Sequence, residues 1–117
     1  MNYNLNLNDR PFEAIKAGTK KIEGRVRTSR DTFSYDDLLI GHTITFTAKT
    51  SGEMMMVDVL GIRHYQDTRS MLETEGTRNV LSSGGNVEEG IESYNGFSEY
   101  RENIPKYGIY AIEVKPR

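Results

Sequence analysis

The 117-residue chain contains no cysteine, which excludes disulfide bonds, thiolate zinc sites and cysteine nucleophiles. No apolar run approaches the ~18 residues that a transmembrane helix requires. The first seven residues alternate polar and apolar side chains and lack the apolar core of a secretory signal peptide. We therefore expect a cytoplasmic protein with no membrane partner. Neither GxGxxG nor GxxxxGK(S/T) occurs, so the sequence gives no support for a nucleotide-phosphate loop.

The chain also has few histidines, and His42 and His64 are the only two. No spacing pairs them with carboxylates as metal ligands, so we expect no metal and no cofactor. Hydrophobic residues make up 36% and charged residues 27% of the chain, which excludes a disordered chain, a collagen and a coiled coil. A chain of this length predicts a single domain over residues 1–117 with one core.

Positive and negative charges are unevenly distributed along the chain. Residues 1–30 hold seven Lys/Arg and three Asp/Glu, a net charge of +4. Residues 31–117 hold eight and fourteen, a net charge of -6, and the two parts give the -2 of the whole chain. Such an asymmetry indicates an anionic partner. A basic strand on a solvated face would give the same count.

Hydrophobic periodicity predicts an α+β fold. Helix-start and helix-end signals predict short helices from about Asp9 to Gly18, from Asp67 or Thr68 to Glu75, and after Asn86. Residues 97–106 are predicted to be a polar connection, and Met54–Met56 to fill the core. Strands joined mostly by turns favour a small curved or barrel-like sheet over a parallel doubly wound one. Alternation predicts the strands at 3–7, 20–27, 43–48, 53–65 and 107–114.

The segment 18–25 concentrates the groups with the most chemistry. Lys20 could polarise an oxygen or, if buried, act as a base or nucleophile. Glu23 could hold a neighbouring cation or move protons, and Arg25 offers a planar fork for phosphate. The alternative is a solvated strand face, on which an exposed ion pair contributes about 0–1 kcal/mol.

The pattern Gly18-x-Lys20-x-x-Glu23-x-Arg25 resembles the GxKxxExR signature of the ASCH family (activating signal cointegrator homology), whose fold is PUA-like. The similarity extends over nearly the whole chain, through segments 11–18, 65–76, 87–94 and 106–114. It implies a small PUA-like β-barrel of about five to six strands with short peripheral helices, and a cleft lined by the GxKxxExR residues.

The resemblance also implies a set of possible activities. Members of the family are linked to RNA binding and in places to DNA binding, and some show single-strand ribonuclease activity. One bacterial branch removes the acetyl group from 4-acetylcytidine with a Lys, a Thr and a Glu. The Lys matches Lys20 and the Glu best matches Glu75, whereas the Thr falls at Glu23. The hydroxyl nucleophile of that branch therefore has no match here.

A binding hypothesis and an enzyme hypothesis remain open. In the first, the protein binds RNA or a modified nucleoside or nucleotide, with aromatic rings stacking on bases. The residues assigned to this binding are Lys20, Arg25, Arg27, Arg30, Phe33 and Tyr35.

In the second hypothesis, Lys20, Glu23 and Glu75 surround a scissile bond as catalytic residues. The enzyme would be a single-strand ribonuclease or a 4-acetylcytidine amidohydrolase. A pocket shared by the Lys20 amine and both carboxylates would favour catalysis.

Overall fold

A computed structural model, which describes residues 1–117, shows one five-stranded mixed sheet curled into a half-barrel. Strand β1 is parallel to β3, the other neighbours are antiparallel, and the order across the sheet is β1-β3-β4-β5-β2. The predicted α+β class and the predicted five strands are confirmed. The strands are β1 (Asn2–Leu7), β2 (Ile22–Arg25), β3 (Thr43–Ala48), β4 (Met54–Tyr65) and β5 (Ile109–Pro116).

Five short helices lie around the sheet. They are α1 (Asp9–Ala17), α2 (Thr68–Glu75), α3 (Thr77–Val80), α4 (Val87–Asn95) and α5 (Tyr100–Tyr107), and a 3-10 turn spans Tyr35–Asp37. The predicted boundary signals of three helices are confirmed. Gly18 ends α1 at φ 83°, Asp67 caps α2, and Asn86 forms a capping box with Glu89 at the start of α4. No helix has the length and apolar character that crossing a membrane demands.

Two apolar clusters pack on opposite sides of the curled sheet. The first holds the predicted inward residues of β3, which are Ile44, Phe46 and Ala48, together with Phe12 and Ile15 of α1. The second joins β2 and β5 to the helices of the second half of the chain. Its fully buried members include Val26, Met71, Leu72, Val80 and Ile109.

The prediction that Met54–Met56 fill the core is wrong for two of the three. Met54 and Met56 are 65% and 42% exposed. Only Met55 packs against the first cluster, because strand side chains alternate and the inward phase of β4 is set by Val57 and Val59. A register shift between Val59 and Gly61 marks an irregularity of the β-bulge type in this strand.

The prediction of a polar connection over residues 97–106 is also wrong. Helix α5 occupies most of it and contains Pro105. A proline inside a helix removes one hydrogen bond, and Ile104 is the only buried residue of this helix. Tyr100, Ile104 and Tyr107 recur at the i, i+4 and i+7 spacing of a helix. Ile104 and Tyr100 of this stripe pack in or against the second cluster.

The edges of the half-barrel meet at an open seam, because β1 and β2 are the two edge strands and do not pair. A single side chain bridges them. The Nη2 of Arg25 on β2 donates to the carbonyl oxygen of Asn6 on β1 at 2.7 Å.

Candidate nucleic-acid interface

A cleft of about 820 Å³ opens along the seam between β1 and β2. Its walls come from the end of β1, the start of α1, the β3–β4 turn, residues 80–83, and the end of α4 with the start of α5. The predicted GxKxxExR residues Lys20, Glu23, Gly24 and Arg25 all line it.

The charge of the cleft lining is strongly positive. Its five cations are Arg10, Lys20, Arg25, Arg30 and Lys49, and its only carboxylate is Glu23. The lining therefore carries a net +4 in a chain whose net charge is -2. The three rim cations, Arg10, Arg30 and Lys49, are exposed and form no ion pair. A concave surface that carries charge of one sign attracts ions of the opposite sign, so the cleft is electrostatically suited to an anion.

The amine of Lys20 lies at the floor of the cleft, with its side chain only 3% exposed. The left-handed turn at Gly18 aims it inward, although strict strand alternation would place it opposite Glu23. Its Nζ donates to the carbonyl oxygens of Ile22 and Val80 and lies 3.5 Å from Glu23 Oε1. An ammonium has three protons. Two are donated to the carbonyl oxygens, and the third is left for the longer ionic contact with Glu23.

Burial lowers the pKa of Lys20, and the attraction of Glu23 opposes that shift only in part. A neutral amine would have to surrender one of its three contacts before its lone pair could attack. The geometry therefore suits a fixed positive charge better than a nucleophile.

The guanidinium of Arg25 links the floor of the cleft to the seam. Its Nε donates to Glu23 Oε2 at 2.7 Å, and its Nη2 donates to Asn6 as described. Burial lowers the pKa of Arg25, but the attraction of Glu23, Tyr100 and Tyr35 and the hydrogen bond to Glu23 together outweigh burial, and the net shift is upward. Three of its five N–H donors remain without a hydrogen bond, and they are available to an oxyanion.

An aromatic wall faces the basic residues. Tyr94, Phe97 and Tyr100 line the cleft from α4 and α5. The rings of Tyr94 and Tyr100 are parallel within 7°, with centroids 6.4 Å apart, and Phe97 is 41% exposed at the rim. A Cβ at Gly24 would lie 2.8 Å from Tyr94 Cζ, so the glycine of β2 leaves room for this wall.

Sequence reasoning did not assign these three aromatics to the site. Tyr94 is 7% exposed and belongs to the second cluster, but it also faces the cleft. The signal that could have found the wall is the regular spacing of aromatics at 94, 97 and 100, although the chain leaves the helix between α4 and α5.

The structure does not bring Glu75 to Lys20 and Glu23. Its carboxylate accepts two hydrogen bonds from Arg63, at 2.5 and 2.8 Å, and one from the hydroxyl of Tyr65. Glu75 is absent from the cleft lining. The pocket shared by all three predicted catalytic residues, which would favour catalysis, is therefore not formed.

We predict that Glu75 acts on stability in a pH-dependent way. Hydrogen bonds from Arg63 are the main cause that lowers the pKa of Glu75 below its ordinary 4.5, against an opposing effect of burial. A depressed pKa contributes stability above pH 4.5 that is lost as the pH falls through the folded-state value. Urea unfolding of Glu75→Gln should show a deficit at pH 7 that shrinks below pH 4, and a deficit constant with pH would contradict this assignment.

The predicted binding residues divide between the cleft and a second recess. Arg25 and Arg30 line the cleft, whereas Arg27, Phe33 and Tyr35 line a recess of about 250 Å³. Tyr35 is 4% exposed and belongs to the core. Phe33 is half-buried against Tyr3, at a centroid distance of 4.4 Å. Neither ring stands free in solvent in the manner of an open stacking platform.

The loop that carries Arg30 is fastened to α5. The carboxylate of Glu99, a residue with φ 71°, accepts from the backbone N and the hydroxyl of Ser29 at 3.0 and 2.8 Å. These bonds lower the pKa of Glu99. The Nδ2 of Asn103 donates to the carbonyl oxygen of Arg27 at 2.8 Å. The segment 27–31 is thus a defined partition between the cleft and the recess.

Comparison with known proteins finds relatives over nearly the whole chain. The model of the ASCH domain matches residues 5–117. The hypothetical protein PH0355 is 38% identical, with full coverage of both chains and a TM-score of 0.81. Protein PF0455 from Pyrococcus furiosus is 36% identical over 99% of this chain and 97% of its own, with a TM-score of 0.71.

A more distant structure shares the fold alone. A point variant of the ZmASCH protein from Zymomonas mobilis is 14% identical over 97% of this chain and 70% of its own, with a TM-score of 0.62. No protein of curated function matches the chain.

Proposed function

The chain belongs to the ASCH domain family, and from that premise we propose that its cleft binds single-stranded RNA or a modified nucleotide of RNA. The observation that carries the proposal is the cleft lining, where five cations surround one carboxylate in an acidic chain. The acidic remainder of the surface repels a polyanion, so binding is confined to this cleft and to a short stretch of strand.

Each part of the cleft has a separate task in this proposal. The exposed rim cations Arg10, Arg30 and Lys49 pair with phosphates, which position the strand without reading its sequence. Phe97, exposed at the rim, stacks on a base, and such a contact contributes about 1–3 kcal/mol. Lys20 supplies a fixed charge under the ligand, and Arg25 offers its remaining N–H donors.

Binding is favoured over the hydrolase alternative by the state of the predicted catalytic groups. Lys20 donates two hydrogen bonds to carbonyl oxygens and pairs with Glu23, and Glu75 is hydrogen-bonded by Arg63 and Tyr65 outside the cleft. The cleft then lacks a free general base other than Glu23, which already pairs with two cations. Neither the ribonuclease nor the amidohydrolase reaction has its proton-transfer groups in place.

The affinity of the protein for a short labelled RNA tests the proposal. In the double variant Arg10→Ala/Lys49→Ala, two phosphate partners are lost. We expect an affinity at least tenfold lower, about 1.4 kcal/mol, and a salt slope reduced by about 1.4 for two single-strand contacts. Fluorescence anisotropy across a salt series measures both quantities.

The matched control is Lys21→Ala/Lys115→Ala, which removes the same charge from exposed residues outside the cleft lining. Equal losses in the two double variants, or an affinity that does not change with salt, would contradict binding in the cleft. Incubation with single-stranded RNA and with 4-acetylcytidine is expected to give no product. Turnover abolished by Lys20→Ala would replace the binding proposal with the enzyme.

A further inference from the structure

We propose that the recess beside the cleft is a second subsite that holds the neighbouring base of the bound strand. This inference rests on the proposed function, and it deepens that function by making the ligand at least a dinucleotide. A free nucleoside or mononucleotide would occupy the cleft alone.

The recess has the size and lining of a site for a flat, neutral, aromatic group. Its volume is about 250 Å³. Its aromatic lining consists of the half-buried ring of Phe33 and the buried rings of Tyr35 and Tyr110, with the Phe33 and Tyr35 rings edge to face at 5.4 Å. Phe33 is therefore the ring that a base would contact. Every nucleobase has a π-face, so an aromatic recess accepts a base without demanding one identity.

Among the polar groups that line the recess, one cation has no carboxylate partner. Asp31 accepts from the backbone N of Thr28 at 2.9 Å and from the Tyr35 hydroxyl at 3.2 Å. The hydroxyl of Tyr110 donates to Asp36 at 2.7 Å. Arg27 has no carboxylate partner and lies over the ring of Tyr107, 4.9 Å from its centroid. Its guanidinium is the one group of the recess that is free to meet a phosphate.

The two sites lie next to each other along the chain. Arg25 lines the cleft and Arg27 lines the recess, and their Cα atoms, two residues apart, are separated by at most ~7 Å. Arg30, which belongs to the segment 27–31, lines the cleft again. One base in each site would therefore place the connecting phosphate at the partition, beside Arg27 and Arg30.

The net charges of the recess and the cleft also differ, as binding of a neutral base in the recess and of phosphates in the cleft would require. The recess holds one cation and one carboxylate, Arg27 and Asp31, whereas the cleft lining carries a net +4. A neutral base suits the first environment, and phosphates suit the second. A free anion has no reason to prefer the recess over the cleft.

Titration calorimetry with the four 5′-phosphorylated RNA homodinucleotides and their mononucleotides tests the subsite. In the unmodified protein, at least one dinucleotide should bind tenfold or more tightly than its own mononucleotide. Arg27→Ala should remove about tenfold of dinucleotide affinity and leave mononucleotide affinity unchanged. Ser34→Tyr, which places a bulky side chain in the recess lining, should reduce the dinucleotide to mononucleotide affinity.

Lys106→Ala is the control, since Lys106 is an exposed cation of α5 that lines neither site. If no dinucleotide gains over its mononucleotide, or if Arg27→Ala weakens both ligands equally, the second subsite is overturned while binding in the cleft stands. If neither a mononucleotide nor a dinucleotide binds, both the proposed function and the second subsite are overturned.

Discussion

Glu23→Ala is expected to lower the free energy of unfolding by about 3–5 kcal/mol, the range for removing one partner of a buried ion pair. The side chain of Glu23 is 8% exposed and serves two cations at once, Lys20 and Arg25. Its removal leaves the ammonium of Lys20 buried with only two carbonyl oxygens as partners. Guanidinium denaturation with linear extrapolation measures the change.

The control for this prediction is Glu53→Ala. Glu53 pairs with Lys16 at 2.6 Å, but both side chains are about half exposed, at 43% and 51%. Exposed pairs contribute about 0–1 kcal/mol. A loss at Glu23 no larger than the loss at Glu53 would contradict the structural importance of the buried pair.

A paired replacement separates charge from packing. When Lys20→Met is added to Glu23→Leu, the buried charges at the floor of the cleft are reduced to Arg25 alone. Exchanging a buried ion pair for apolar side chains of similar volume is often close to neutral. We expect the double variant to be more stable than Glu23→Ala, although the carbonyls of Ile22 and Val80 lose their donor.

Gly108→Ala is expected to cost about 2–6 kcal/mol of stability. Gly108 has φ 75° and ψ -163°, a conformation that is essentially restricted to glycine and costs other residues about 1–3 kcal/mol. A Cβ there would also collide with the carbonyl oxygen of Tyr65 and lie 2.6 Å from His64 Nε2. Overpacking adds about 1–3 kcal/mol, and a backbone atom cannot swing aside.

Gly18→Ala is the matched variant that isolates the collision. Gly18 has a similar φ of 83°, but a Cβ there would have nothing within 4 Å. Only the left-handed strain of about 1–2 kcal/mol applies to it. Thermal unfolding of the two variants should differ clearly, and equal losses would mean that the contact of α5 and β5 with Tyr65 yields without cost.

The sheet was predictable because its signals are local. Alternation in β1 and β3 fixes which side chains face inward, and the glycine and Asx signals mark where α1, α2 and α4 begin or end. The same alternation, applied in phase from Val57 and Val59, would have placed Met54 and Met56 outside. Helix α5 was not recognised, because Pro105 signals a helix end and most of the segment is polar, although Tyr100, Ile104 and Tyr107 recur at helical spacing.

The candidate site was predictable only in part. The spacing of Lys20, Glu23 and Arg25 identified a set that the fold does bring together, since a turn and a strand hold them within seven positions. Glu75 belongs to the same family pattern, but no local rule places a helix end relative to a distant strand. The three predicted catalytic residues therefore share a pattern in the sequence, but the structure does not bring Glu75 to Lys20 and Glu23.

The burial of Lys20 follows from tertiary packing that its neighbours in sequence do not encode. Its acceptor Val80 lies 60 positions away, and the wall of Tyr94 and Tyr100 comes from helices of the other half of the chain. Side chains that touch across such separations share no periodicity. Physical reasoning on one sequence can identify the charged set, but it cannot supply the facing surface.

The single bridge across the seam has a mechanical consequence. Because β1 and β2 share no backbone ladder, the Arg25 contact with Asn6 is the hydrogen bond that joins the two edge strands. Breaking it would leave each edge strand paired with its inner neighbour, β3 or β5. The guanidinium that offers free N–H donors to a ligand in the cleft is therefore also the group that joins the two edges of the sheet.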